Sequence, residues 1–240
     1  MQGHIENRSL ENLNKAVVCC EQCPRLTRYR RSIAKKKRRQ FMDWTYWGKP
    51  LPGFGDPAGR LLILGLAPAA HGGNRTGRMF TGDGSAQFLM AELYKFGFAS
   101  RPTSVSVDDG LRLHDAYMTA IVRCAPPKNK PTRMEIETCK CYWTEELRLL
   151  PNVKVVLALG RVAFDTYVKF LKEHGVETKG YRFRHGALYQ SPDQELTLAA
   201  SYHPSRQNTQ TGKLTEAMFD SVLRKVRRMI EPGARSGAKN

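Results

Sequence analysis

Residues 60–89, RLLILGLAPAAHGGNRTGRMFTGDGSAQFL, decide the fold. The stretch begins with the short apolar run 61–64, which predicts a buried strand. A polar loop with glycines at positions 72, 73, 77, 82 and 84 follows, and apolar residues at helical spacing come next. A strand that opens into such a loop and then a helix is the usual place of a ligand site in α/β proteins. The stretch therefore predicts an α/β fold with a binding site in this loop.

Three further apolar runs predict strands at 116–122, 154–159 and 196–201, and helical patterns separate them. Strands that alternate with helices indicate a three-layer α/β/α sandwich around a central, mostly parallel, four-stranded sheet. The loops that follow the first, second and fourth strands should converge, because the carboxyl ends of parallel strands meet at one edge. We expect residues 1–231 to form a single domain and residues 232–240 to be a flexible basic tail.

The formal net charge of +17, from 39 Lys and Arg against 22 Asp and Glu, is the strongest feature of the composition. It indicates a polyanionic partner, with nucleic acid first and an acidic membrane surface second; a generally basic protein without such a partner is the alternative. The run KKKRR at 35–39 is either a solvated charged surface or a set of phosphate contacts, and the overall charge favours contacts. The sequence shows no apolar run as long as a membrane span and no signal-peptide core, so we expect a cytoplasmic protein without a membrane partner.

The cysteines are the candidate metal ligands. In a cytosolic chain they bind a metal or stay free more often than they form disulfides. Cys20 and Cys23 make a C-x-x-C pair, whose two thiolates can reach one metal centre, and Cys19 offers a second register. A single C-x-x-C is also compatible with a redox pair or with chance.

Three segments carry a family resemblance: GLAPAAHGGNRTGRMFTGD at 65–83, CAPPKNKP at 124–131 and SYHPSRQNTQTG at 201–212. Together they resemble the family 5 uracil-DNA glycosylases, the broad-specificity type b, over nearly the whole chain. The resemblance implies a monofunctional hydrolase of DNA base-excision repair, which flips a base out of the DNA and hydrolyses its N-glycosidic bond. Uracil would be its substrate, with hypoxanthine and other deaminated or damaged bases, and an abasic site would remain.

The same resemblance implies a [4Fe-4S] cluster as cofactor. By residue type and spacing alone, four thiolates suit zinc and an iron–sulfur cluster equally well. The ligands carried over from the family are Cys20, Cys23, Cys124 and Cys139. Cys19 and Cys141 are left as spare thiols, and the cluster is expected to be structural.

Two residues are carried over as catalytic. Asp83, the only carboxylate of the central loop, would position or polarise a water molecule, or stabilise positive charge on the sugar. His203 would hydrogen-bond the uracil carbonyl as negative charge develops there. The alternatives are an N-cap role for Asp83 at the helix that begins near Gly84, and a structural role for His203.

The substrate-binding candidates are Gly65, Ala67, Phe80 and Asn129. Phe80 would stack on the flipped base, and Asn129 would present a donor and an acceptor to the edge of the base. A core phenylalanine and a turn asparagine are the alternatives. Ala67 belongs to a segment where many uracil glycosylases have an Asp or Asn, so the identity of the water-activating group stays open.

Further residues are candidates for contact with DNA, the expected partner in single- or double-stranded form. Arg206 and Gln207 would enter the gap that the flipped base leaves, and Arg75, Arg78 and Lys213 would contact phosphates. We expect the protein to act as a monomer.

Charge and cysteines alone leave other function classes open. A non-catalytic nucleic-acid-binding protein and a redox protein with a cluster both fit them, and an enzyme of the same fold that prefers another lesion is a third possibility. Base release separates a glycosylase from a binding protein, which would retain affinity for DNA and release no base.

Overall fold

The computed structural model describes residues 9–192 and 195–231. The α-helices in these residues are α1 (Leu10–Val18), α2 (Pro24–Lys36), α3 (Gly73–Thr76), α4 (Gly84–Lys95), α5 (Arg133–Leu149), α6 (Arg161–Glu173), α7 (Arg206–Gln210) and α8 (Glu216–Ile230). The strands are β1 (Phe54–Gly55), β2 (Leu61–Gly65), β3 (Ala116–Ala120), β4 (Val155–Leu159), β5 (Leu188–Gln190) and β6 (Thr197–Ser201). The tail predicted at 232–240 lies outside the described residues.

The strands form one sheet in the order β1-β3-β2-β4-β6-β5. The four inner strands are parallel, and Leu61 at the start of β2 stands opposite Ala116 on β3 and Val155 on β4. The short strands β1 and β5 add antiparallel edges. The predicted parallel core is confirmed, and the sheet has six strands where the sequence predicted four. The order also places a topological switch point beside β2, where open α/β sheets bind ligands.

Strand β2 divides the core into two apolar layers. Leu61 and Ile63 face a cluster that includes residues of α4 and α8, whereas Leu62 and Leu64 face a second cluster with residues of α1, α5 and α6. Every residue of β2 is buried, as expected of a parallel strand covered on both faces. The α/β/α sandwich predicted from the sequence is thereby confirmed.

No helix in the described parts of the chain is both long enough and apolar enough to cross a membrane.

Glu92 on α4 and Asp220 on α8 form an acidic pair between the two helices. Glu92 is 1% exposed, and its Oε1 accepts a hydrogen bond of 2.6 Å from Lys95 Nζ. Its Oε2 and Asp220 Oδ1 are buried without a donor among the described residues. A proton on Glu92 would let its carboxyl group donate a hydrogen bond to Asp220. Burial, together with the hydrogen bond to Asp220, raises the pKa of Glu92 to about 7.

Substitution Glu92→Gln should stabilise the protein at pH 8 and have little effect at pH 5. The pKa of Glu92 is higher in the folded state, so wild-type stability falls as the pH rises from about 4.5 towards about 7, and the neutral amide escapes this loss. We expect the melting temperature of the variant to exceed that of the wild type by roughly 2–4 °C at pH 8, equivalent to about 1 kcal/mol.

The control for this measurement is Glu145→Gln, because the neighbouring Arg148 lowers the pKa of Glu145. The difference in melting temperature between Glu145→Gln and the wild type should not be more favourable at pH 8 than at pH 5. A Glu92→Gln effect of the same size at both pH values would mean that Glu92 holds no extra proton.

Candidate active site

A cavity of about 230 Å³ opens at the carboxyl end of β2. Its wall comes from the loop after β2, the end of β3, the turn that precedes α5 and the segment after β6, so the predicted convergence of loops is found. The wall includes every residue that the sequence singled out for catalysis or substrate contact: Gly65, Ala67, Phe80, Asp83, Asn129 and His203. Ala120 at the end of β3 is also on the wall.

The ring of Phe80 rests against the end of β2. A Cβ atom on Gly65 would lie 2.9 Å from Phe80 Cζ, so only glycine lets the ring approach the strand this closely. Phe80 has a φ of +44°, a strained value for a bulky side chain, and its ring centroid is 6.2 Å from that of His203. The fold therefore holds Phe80 as a half-buried face of the cavity and not as a fully buried core residue.

Asp83 is both a helix cap and a residue of the cavity. Its Oδ1 accepts a hydrogen bond of 2.9 Å from Ala86 N at the start of α4, which is the N-cap role considered from the sequence. A Cβ on Gly72 would lie 2.1 Å from Asp83 Oδ2, so the loop passes directly over this carboxylate. Burial raises the pKa of Asp83, while the backbone of α4 and the charge of Arg75 oppose the rise. The cap and the catalytic interpretation are compatible.

His203 follows β6 and faces Phe80 across the cavity. Its carbonyl accepts hydrogen bonds of 2.8 Å from Ser205 N and from Asn208 Nδ2, which fix the backbone at this point. Burial lowers the pKa of His203 to about 4, so the ring is neutral at pH 7. A neutral imidazole can donate one N–H to a carbonyl oxygen in the cavity.

Asn129 lies at the rim of the cavity in a short turn, Pro127–Asn129. Its φ is +56° and that of Lys128 is +54°, so two consecutive non-glycine residues have left-handed backbone. Asparagine tolerates this conformation, which agrees with the turn interpretation. The exposed amide nevertheless reaches the wall of the cavity, where it is available to a ligand.

A wider groove of about 660 Å³ adjoins the cavity and shares Asp83 and Asn129 with it. Three exposed basic residues, Arg38, Lys128 and Arg206, lie along the groove. Gln207 is also on its wall. A basic groove that leads to a small cavity suits a negatively charged polymer. The backbone of the polymer can lie in the groove while one of its units rotates into the cavity.

Arg75 is buried, in contrast to the prediction of a phosphate contact. It is 3% exposed, and its guanidinium carbon lies 3.9 Å and 4.0 Å from the ring centroids of Phe41 and Trp44. Its Nη2 donates a hydrogen bond of 2.8 Å to Gly82 O. The side chain therefore ties the central loop to an aromatic segment upstream, and it has no access to DNA.

Arg78 is buried as well, at 4% exposed. It forms an ion pair of 2.7 Å with Asp109 and a hydrogen bond of 2.8 Å to Ser104 Oγ. These internal partners correct the second phosphate-contact prediction. Lys213 is exposed, with its Nζ 5.3 Å from the ring centroid of Tyr202.

A second cavity, which we call the thiol cavity, is lined by Cys20, Cys23, Cys124 and Cys139. The spare thiols Cys19 and Cys141 are exposed and are not on its wall. Cys20, and not Cys19, therefore lies on one wall with the other three predicted ligands. Burial raises the pKa of Cys124 to about 12, so this thiol is protonated at pH 7 when no metal is bound.

The surroundings of the thiol cavity suit a bound metal group. Cys139 Sγ accepts a hydrogen bond of 3.3 Å from Arg123 N, and the charge of the buried Arg30 lowers the pKa of Cys124 against the effect of burial. Thr27 Oγ1 is buried on the same wall without a partner among the described residues. Within residues 9–192 and 195–231, no three His, Cys, Asp or Glu side chains lie close enough together to hold one metal ion.

A family model described as the Uracil DNA glycosylase superfamily matches residues 52–227. The chain is also 50% identical over 216 residues to the Type-5 uracil-DNA glycosylase of Thermus thermophilus, an alignment that covers 90% of this chain and 95% of that protein. The chain belongs to the type-5 uracil-DNA glycosylase family. Similar proteins from Mycobacterium tuberculosis and Pyrobaculum aerophilum, both named Type-5 uracil-DNA glycosylase, are 44% identical over 92% and 88% of the chain, and the alignments cover 82% and 88% of those proteins.

Membership of the type-5 family confirms the resemblance that three sequence segments had indicated. A protein of Pyrobaculum aerophilum named Type-4 uracil-DNA glycosylase is only 25% identical over 202 residues.

Proposed function

We propose that this protein removes uracil from DNA by hydrolysing the N-glycosidic bond, as a monofunctional glycosylase of base-excision repair. The observation that carries the proposal is the convergence of Phe80, Asp83, Asn129 and His203 on one cavity in a chain of the type-5 family. The target base leaves the DNA stack and enters this cavity, while the DNA backbone stays in the basic groove. An abasic site is the product.

Each cavity residue has a distinct part in the proposed reaction. Phe80 stacks on the flipped base, and the amide of Asn129 bonds to the edge of the base. The neutral ring of His203 donates a hydrogen bond to the uracil carbonyl as the bond to the sugar breaks and negative charge grows on the base. Asp83 positions the attacking water molecule or stabilises the positive charge that develops on the sugar.

The proposed substrate range includes hypoxanthine and other deaminated or damaged bases. In support of this range, Gly65, Ala67 and Ala120 line the cavity with little or no side chain. We propose that the protein acts as a monomer in the cytoplasm, on single- or double-stranded DNA.

The proposal is tested by base release from labelled oligonucleotides that contain one uracil, opposite G, opposite A or in a single strand, with hypoxanthine in parallel. We expect release of both bases and alkali-labile abasic sites. Protein that binds this DNA and releases neither base would support a binding protein instead.

Substitution Gly65→Ala should reduce kcat/KM for uracil release by roughly 10- to 100-fold, because an added Cβ displaces Phe80 by several tenths of an ångström or more. The measurement is single-turnover base release with and without Phe80→Leu. In the Phe80→Leu background the ring is already absent, so Gly65→Ala should cost much less there. Equal losses in both backgrounds would show that Gly65 does not act through Phe80.

We also propose that the thiol cavity holds a [4Fe-4S] cluster. Four cysteines on one cavity wall, next to the buried cations Arg30 and Arg123, are a suitable donor set for it. The cluster would tie the segment before α2 to the loop after β3 and to α5. Glycosidic hydrolysis transfers no electron, so the role proposed for the cluster is structural.

DNA affinity should fall steeply with salt, because basic residues along the groove displace counterions from phosphates. Arg206→Gln should lower the slope of log affinity against log salt by about one if Arg206 contacts a phosphate. Arg148→Gln is the matched control, since Arg148 is exposed, pairs with Glu145 and does not line the groove. A flat salt response would exclude a phosphate-driven interaction.

A further inference from the structure

His71 has no part in the proposed reaction, although it lies in the central loop. Its Nδ1 is 2.9 Å from the hydroxyl oxygen of Tyr46, a residue that is only 7% exposed. The two rings meet edge to face, with centroids 6.0 Å apart. A buried tyrosine thus holds the imidazole in one orientation.

The direction of the hydrogen bond between Tyr46 and His71 sets which ring nitrogen of His71 carries the proton. Burial and the charges of Arg38 and Arg75 lower the pKa of His71, so the ring is neutral at pH 7. When the Tyr46 hydroxyl donates to Nδ1, the ring proton is on Nε2. Within residues 9–192 and 195–231, His71 Nε2 has no hydrogen-bond partner. No other acceptor for the Tyr46 hydroxyl is found in these residues, which favours the tautomer in which Nε2–H of His71 is free to donate.

This donor lies on the backbone side of the site. His71 lines the groove together with Arg38, Lys128 and Arg206, and it is not on the wall of the cavity that receives the base. At the next residue, Gly72, an added Cβ would lie 2.1 Å from Asp83 Oδ2, so this part of the loop packs against the carboxylate. His71 is thus close to Asp83 but outside the cavity, on the groove in which we place the DNA backbone.

We propose that His71 Nε2–H donates a hydrogen bond to a phosphate oxygen of DNA next to the flipped nucleotide, and that Tyr46 is the positioning residue for this contact. The inference rests on the proposed glycosylase function. The surrounding cations attract DNA through its overall negative charge. A neutral donor held in one orientation instead bonds to one phosphate and so fixes the position of the DNA.

The test is a scan with uncharged methylphosphonate linkages, placed one at a time beside uracil in a duplex. Single-turnover kcat/KM is measured for the wild type, His71→Leu, His71→Gln and Tyr46→Phe. At one linkage the wild type should lose about tenfold or more, and His71→Leu should lose little, because the contact is already absent. His71→Gln, which keeps a donor, should regain part of the sensitivity at the same linkage.

Tyr46→Phe leaves His71 in place, so it tests the positioning role of Tyr46. It also provides the test of the phosphate contact if His71→Leu folds poorly. It should reduce sensitivity at the linkage that His71 reads, while Arg206→Gln should change sensitivity at a different one. The proposal is overturned if no linkage loses its effect in His71→Leu and Tyr46→Phe. It is also overturned if His71→Leu slows the reaction at saturating DNA with an unchanged pattern across linkages. Uracil release from unmodified DNA by the wild type tests the function separately.

Discussion

Asp83→Asn is expected to lower the single-turnover rate of uracil release by about 10²- to 10³-fold, the range of a positioned acid–base group. The asparagine keeps an oxygen that can accept from Ala86 N, and Asn caps helices as well as Asp does. The substitution therefore removes the charge of the cavity and keeps the cap of α4. Affinity for uracil-containing DNA should stay within about threefold of the wild type.

The comparison variant is Asp83→Ala, which removes the charge and the cap together. Its rate should fall as far as that of Asp83→Asn, and its free energy of unfolding should fall by about 1 kcal/mol more. If Asp83→Asn is fully active, Asp83 is only a helix cap and another group must activate the water. Melting temperatures and base-release rates on the same preparations distinguish the two outcomes.

Cys124→Ser is expected to abolish iron binding and to lower the melting temperature by roughly 10 °C, because a metal group that closes a buried cavity contributes directly to folding. Cys124 is buried on the wall of the thiol cavity and follows β3. The measurements are iron content, sulfide content and the visible absorption of protein purified without oxygen. We expect about four irons per chain in the wild type.

The chain supplies its own controls for this experiment. Cys19→Ser and Cys141→Ser change exposed thiols outside the cavity and should leave iron content and stability unchanged. Stoichiometric zinc in place of iron in the wild type would reject the cluster and retain a four-cysteine site. Full iron content in Cys124→Ser would remove Cys124 from the ligand set.

Arg30 connects the thiol cavity to the central loop. Its guanidinium donates to the carbonyls of Cys20 and Gly48, at 3.3 Å and 2.5 Å, and its own carbonyl accepts a hydrogen bond of 3.3 Å from Asn74 Nδ2. Asn74 is fully buried in α3, and its carbonyl accepts a hydrogen bond of 3.1 Å from Gly48 N. One network of hydrogen bonds therefore joins the segment of Cys20, on the wall of the thiol cavity, to the central loop.

The inner strands and the position of the site could be predicted from the sequence. Parallel strands buried on both faces are continuous apolar runs, and β2, β3, β4 and β6 all have this pattern. The edge strands β1 and β5 could not be predicted in this way, because they contain two and three residues. Their extended conformation depends on pairing with β3 and β6, which is a tertiary contact.

The sequence by itself also determined the family and predicted residues that line the two cavities, because these belong to motifs that can be recognised locally. Only the tertiary structure decided which polar groups face solvent. Arg75 and Arg78 resemble surface cations in the sequence, yet the aromatic rings of residues 41–44 and the carboxylate of Asp109 enclose them. A charge can be buried only when distant segments bring its partners, and no local pattern records where those segments meet.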